Sequence, residues 1–142
     1  MENVIISACL MGFDCKYSGG NNALPEYILC KLKEKYRLIP VCPETAGGLP
    51  VPRDPSERLG DKVVSCKGKD VTAEFERGAE VAAKLAARCG CKKAILKAQS
   101  PSCGSGIIYD GSFTGGKTGG FGVAAEKLRD MGVEILDEEN IE

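Results

Sequence analysis

Apolar positions in this chain come in two patterns that take turns along it. Val4-Ile5-Ile6, Leu38-Ile39-Pro40-Val41 and Ala94-Ile95-Leu96 are short continuous runs, the pattern of strands buried on both faces in a parallel sheet. Between the first two, Leu24, Ile28, Leu29 and Leu32 recur at helical spacing, so a helix is predicted from Leu24 to Tyr36 with Pro25 in its first turn. A second helix starts at Asp70 or Thr72, either of which can cap it, and runs to about Arg88. Its apolar face is Phe75, Ala79, Ala82 and Ala86, and Gly90 is its stop. A third stripe, Phe121, Ala124, Leu128 and Met131, opens in the glycine-rich run Thr114 to Gly122 and ends at Gly132; Val133 to Leu136 then closes the sheet. Alternating strands and helices predict an α/β fold, a single three-layer Rossmann-like domain over residues 1–142 with a mostly parallel sheet.

Two segments resist this pattern. Residues 43–60 hold four prolines and three glycines and are expected to form neither helix nor central strand. Long ordered loops of this kind are usually functional. Val63 to Ser65 reads as an edge strand, and Gly106 to Phe113 as extended chain or a small hairpin around Asp110-Gly111.

The residues just past each strand bring in chemistry. Val4-Ile5-Ile6 leads into Ser7-Ala8-Cys9, Leu38 to Val41 into Cys42-Pro43-Glu44, and Ala94-Ile95-Leu96 into Ser100-Pro101-Ser102-Cys103-Gly104. Ligands of open α/β sheets bind at the carboxyl edge of the strands. Thiols, hydroxyls and a carboxylate are therefore expected on one rim, with Cys15 in the glycine-rich loop after the first strand.

Charge and composition narrow the partners. Lys and Arg number 19 against 20 Asp and Glu, and the basic residues form no stripe, so a small molecule is expected rather than nucleic acid alone. Met1-Glu2-Asn3 lacks a basic leader pattern, and Gly12 and Asp14 break the apolar run after it. Neither signal peptide nor membrane span is expected, which places the protein in the cytoplasm. Eight cysteines in a reducing compartment point to metal or catalysis before disulfides. The complete absence of histidine removes Ser-His and Cys-His nucleophile pairs and the mixed zinc sites.

Two constellations compete. Gly111 to Thr118 satisfies the phosphate-loop pattern of a glycine, any four residues and then Gly-Lys-Thr. A nucleotide- or phosphate-binding protein is thus one alternative. Against it, an ATPase of that class needs a later strand ending in Asp for its magnesium, and only 24 residues follow Thr118; a glycine hinge or substrate-covering loop is the plainer reading.

The cysteines are the other constellation. Cys30, Cys66, Cys89 and Cys91 fall in a helix, near a turn and at a helix end, as core or incidental thiols do. Cys9, Cys15, Cys42 and Cys103 all fall in loops after strands. Structural zinc favours two close pairs, whereas Cys9 and Cys15 with two remote cysteines suit an iron-sulfur cluster. A non-catalytic metal- or thiol-binding module also remains. Glu44 follows Cys42 by two residues, which in extended chain puts both on one side; with no histidine present, a partly buried glutamate is the natural general base.

At these residues the chain resembles the bacterial thiouracil desulfidase family. The matching motifs are Ser7-Ala8-Cys9-Leu10-Met11-Gly12 with Cys15 and Tyr17, Pro40-Val41-Cys42-Pro43-Glu44, Gly47-Gly48-Leu49-Pro50 with Pro52-Arg53 and Glu57, Asp70-Val71-Thr72, Lys97 with Ser100 to Gly104, and Tyr109-Asp110-Gly111. The resemblance implies an iron-sulfur-dependent hydrolytic desulfidase with a 4Fe-4S cluster held by three cysteines and one open iron. Its non-redox reaction takes 2- or 4-thiouracil, or a related thiolated base, and water to uracil and sulfide. By the same resemblance Glu44 and Ser100 are catalytic. Cys9, Cys15 and Cys103 are assigned to the cluster and Cys42 to catalysis; the rival partition makes Cys42 a ligand and frees Cys15. Ser102, Gly104 and Arg53 are expected around the substrate. Lys16 and Ser18 stand where the family motif has Arg and Asp.

Overall fold

A computed structural model describes residues 1–141. In chain order the first half comprises β1 (Glu2–Ser7), a 3-10 turn (Ala8–Met11), α1 (Glu26–Lys35), β2 (Tyr36–Val41), α2 (Pro43–Ala46), β3 (Ser56–Leu59) and β4 (Lys62–Ser65). The second half comprises α3 (Thr72–Cys89), β5 (Lys93–Leu96), β6 (Ser105–Tyr109), β7 (Lys117–Phe121), α4 (Val123–Asp130) and β8 (Glu134–Asp137).

The three apolar runs are strands of one wholly parallel sheet in the order β2-β1-β5-β8. Alternate side chains leave it on opposite faces. Val4, Ile6 and Ile95 join Leu10 and Leu32 on the α1 side, while Ile5, Ala94 and Leu96 meet Ala82, Ala86 and Leu128 of α3 and α4 on the other. The sheet is thus covered on both faces, as continuous apolar strands require. Gly90 ends α3 at φ +63°, the left-handed stop expected of it. Among the described residues no helix is long and apolar enough to cross a membrane.

Two expectations are corrected. Residues 43–60 contain a helical turn, α2, and a strand, β3. Pro43 starts that turn at a position whose N–H needs no partner. Val63 to Ser65 is an edge strand as expected, with β4 paired antiparallel to β3 in a separate two-stranded ribbon. The glycine-rich run opens no helix: Lys117–Phe121 pairs antiparallel with β6, and α4 begins only at Val123. Glycine loses the most chain entropy in a helix, and the β6 partner supplies the hydrogen bonds instead. Lys117 lies over the Tyr109 ring at 5.7 Å, so the Gly-Lys-Thr match belongs to a hairpin and lacks the adjoining helix that cradles a phosphate.

Close backbone contacts fix the two turns on the rim. A Cβ at Gly78 of α3 would overlap the Pro43 carbonyl, and one at Gly47 would overlap the Glu74 carbonyl; only glycine lets α2 lie this near α3. The opening amides of α4 have no side-chain cap. Val123 and Ala124 donate instead to the carbonyls of Pro101 and Ser102, both at 2.9 Å, which satisfies those amides and clamps the turn after β5 to α4.

Candidate active site

The carboxyl ends of β1, β2 and β5 open on a cavity of about 400 Å³. Cys9, Cys15, Cys42 and Cys103 all line it, and all eight cysteines are free thiols. Cys9, Cys42 and Cys103 follow three adjacent parallel strands, while Cys15 is brought back by the loop between β1 and α1. Asn22 donates to Cys9 Sγ at 3.5 Å, Cys42 Sγ lies 3.9 Å from the Cys15 carbonyl, and Ser102 Oγ lies 3.6 Å from Cys103 Sγ.

Burial raises the Cys9 thiol, and pushes Cys15 and Cys103 up to about 12. Cys103 is only 4% exposed. Such thiols stay protonated at neutral pH unless a cation repays the loss of hydration, and metal binding then releases their protons. Among the described residues no three Cys, Asp or Glu side chains converge on a point fit for one ion. The thiols surround a wider space. A soft, all-sulfur donor set spread around a cavity fits an iron-sulfur cluster, whose ligands bind different irons.

Glu44 of α2 lines the same cavity. Its Oε1 accepts from Arg53 Nε at 3.1 Å, and its Oε2 accepts from Ser102 Oγ at 2.9 Å. Arg53 Nη2 is also 3.1 Å from Oε1, and the pair is nearly buried, at 7% exposure for Arg53 and 15% for Glu44. Both carboxylate oxygens are therefore held. The remaining donors of Arg53 reach the carbonyls of Pro50 (3.2 Å) and Cys15 (2.9 Å), so this one guanidinium ties the proline loop and the Cys15 loop to Glu44.

The hydroxyls have a direction. Ser102 donates to Glu44, so the proton between Ser100 Oγ and Ser102 Oγ, 3.0 Å apart, comes from Ser100. Ser100 Oγ in turn accepts from the amides of Ser102 and Cys103, both at 3.1 Å. A chain of hydroxyls thus points from Ser100 through Ser102 to the carboxylate.

Cys9, Cys15, Cys42, Glu44, Arg53, Ser100, Ser102 and Cys103 are accordingly brought to one cavity. Gly104 is not among its lining residues. Its N–H is bonded to the Ser100 carbonyl at 2.8 Å, and a Cβ there would press on Ile108 and Ser100; it is a packing glycine. Cys42 and Glu44 do not share one side of extended chain as expected, since Cys42 is extended but Glu44 is in a helical turn. They share the cavity because α2 turns back over it. Asn22 and Glu138 carried no recognisable signal, whereas Ser7 stood on the expected rim. Ser7 accepts from the Lys97 amide at 2.9 Å, and Glu138 holds Lys97 Nζ at 2.8 Å from a segment after β8.

A family profile described as 2-thiouracil desulfurase matches residues 4–140. The chain is 35% identical over 148 aligned positions to the uncharacterized protein YbbK of Bacillus subtilis strain 168, covering 97% of each. A solved structure of the 4Fe-4S-dependent thiouracil desulfidase TudS superposes with a TM-score of 0.95 at 45% identity, over 99% of this chain and 93% of that one.

Proposed function

The chain belongs to the 2-thiouracil desulfurase family, and from that premise we propose that it releases the sulfur of a thiolated pyrimidine as sulfide, using an iron-sulfur cluster and water. The observation that carries the reading is Glu44: a carboxylate held by Arg53 and Ser102 in the cavity that also gathers four thiols. The reaction is non-redox, thiouracil and water giving uracil and sulfide.

Where the sequence reading assigned Cys15 to the cluster and Cys42 to catalysis, we assign Cys9, Cys42 and Cys103 to the cluster, because these three come from the carboxyl ends of β1, β2 and β5, adjacent strands of one sheet, whereas Cys15 lies farther along the loop between β1 and α1. Cys15, beside Arg53, is then the spare thiol; the opposite partition exchanges Cys15 and Cys42. When bound, a cluster with one iron left free of thiolate supplies a soft Lewis acid that takes sulfur in preference to oxygen. Glu44 is the general base. It removes a proton from the water that attacks the thiocarbonyl carbon, and Arg53 and Ser102 fix its plane. Ser100 completes the relay that orients Ser102. The cavity's mixed polar and apolar walls suit a small heterocycle, and the free thiols suit a cytoplasmic setting. Sulfide release from 2-thiouracil by the anaerobically loaded protein tests this function. The phosphate-loop alternative has no support, since Lys117 and Thr118 are strand residues.

A further inference from the structure

Gln99 lines the cavity one residue before Ser100. Its backbone is left-handed at φ +67°, and among the described residues only Phe113 shares that region without being glycine. A long side chain is strained there, where glycine or asparagine rests easily. The conformation is imposed from both sides. Gln99 bridges Ile108 of β6, Ala98 N–H donates to Glu138 at 2.7 Å, and Ser100 is locked to Ser102. The Gln99 carboxamide takes part in none of these bonds. Strain held in place at a cavity wall points to function.

Resting on the desulfidase reading, we propose that Gln99 is the residue that reads the ring edge of the substrate. Its carboxamide oxygen accepts from the ring N3–H and its NH2 donates to the adjoining carbonyl oxygen, the two-bond pairing that a primary amide offers such an edge. Once the sulfur is directed toward the cysteines, 2-thiouracil presents N3–H beside O4, and 4-thiouracil presents N3–H beside O2. One carboxamide therefore serves both isomers. Of the cations that line the cavity, Arg53 is paired with Glu44, Lys97 is paired with Glu138 and Lys16 lies over the Tyr17 ring at 5.8 Å; the Gln99 carboxamide offers a neutral donor and acceptor pair to a neutral ring.

The test compares the cluster-loaded protein with its Gln99→Gly variant. Glycine fits φ +67° without strain, so the melting temperature stays level or rises. The variant's KM for 2-thiouracil is expected to rise about tenfold at similar kcat, and its calorimetric affinity for uracil to fall by the same factor, on the order of one lost hydrogen-bonded pair. The wild type rejects 3-methyl-2-thiouracil by roughly a hundredfold or more, and the variant loses that discrimination. A Gln99→Gly protein with wild-type KM, uracil affinity and rejection of the methylated ring overturns the role of Gln99 and leaves the desulfidase reading standing. A loaded wild type that releases no sulfide overturns both.

Discussion

Ser102 Oγ lies 2.9 Å from Glu44 Oε2, so one hydrogen bond joins the turn after β5 to the helical turn after β2. Ser102 is 2% exposed, and no water can easily replace it. Ser102→Ala leaves a carboxylate oxygen unpaired, which is expected to lower stability by about 1–3 kcal/mol and kcat by about tenfold as the base loses its orientation. Denaturant unfolding of the iron-free protein, with turnover and iron content of the loaded one, checks this; iron content is expected to stay at the wild-type level.

Arg53 and Glu44 form a nearly buried pair. Removing one partner strands the other, and Arg53→Met is expected to cost roughly 3–5 kcal/mol. The double variant with Glu44→Gln is expected to be less destabilised than the sum of the two single changes, because no lone charge remains. A double-mutant cycle on urea midpoints measures the difference, and simple additivity contradicts the pairing.

Gly78 lies inside α3, where exchanging glycine for alanine ordinarily stabilises a helix by roughly 0.5–1 kcal/mol. Here the sign is expected to reverse, to a loss of about 1–3 kcal/mol, because the new methyl would overlap the Pro43 carbonyl. Displacing Pro43 also displaces Glu44, so kcat is expected to fall with stability. Thermal melts and turnover of Gly78→Ala check both.

The cluster assignment separates on iron content. Cys9→Ser, Cys42→Ser and Cys103→Ser are expected to lose bound iron and acid-labile sulfide after anaerobic loading, whereas Cys15→Ser retains them. The reverse outcome for Cys15 and Cys42 establishes the opposite partition.

The parallel sheet is legible because Val4-Ile5-Ile6 and Ala94-Ile95-Leu96 are apolar without interruption, and only strands covered on both faces tolerate that. The thiol-bearing rim can be placed from where those runs stop. The segments 43–60 and 114–122 mislead because proline and glycine counts report local preference, while β3 and β7 owe their existence to partners, β4 and β6. Periodicity over a few residues cannot reveal such pairing. The Arg53 and Glu44 pair, nine positions apart, and the reach of Glu138 to Lys97 across 41 are products of chain reversal. Gln99 carries no sequence signal, since its φ is imposed by Ile108 and Glu138 from elsewhere in the chain.

The most direct measurement is sulfide and uracil formed from 2-thiouracil, without added oxidant or reductant, by the anaerobically loaded wild type and its Glu44→Gln variant. The wild type is expected to produce the two in equal amounts. Glu44→Gln is expected to keep the visible absorbance of the cluster and lose on the order of 10²–10⁴ in kcat. Undiminished turnover by Glu44→Gln, or no sulfide from a fully loaded wild type, contradicts the account.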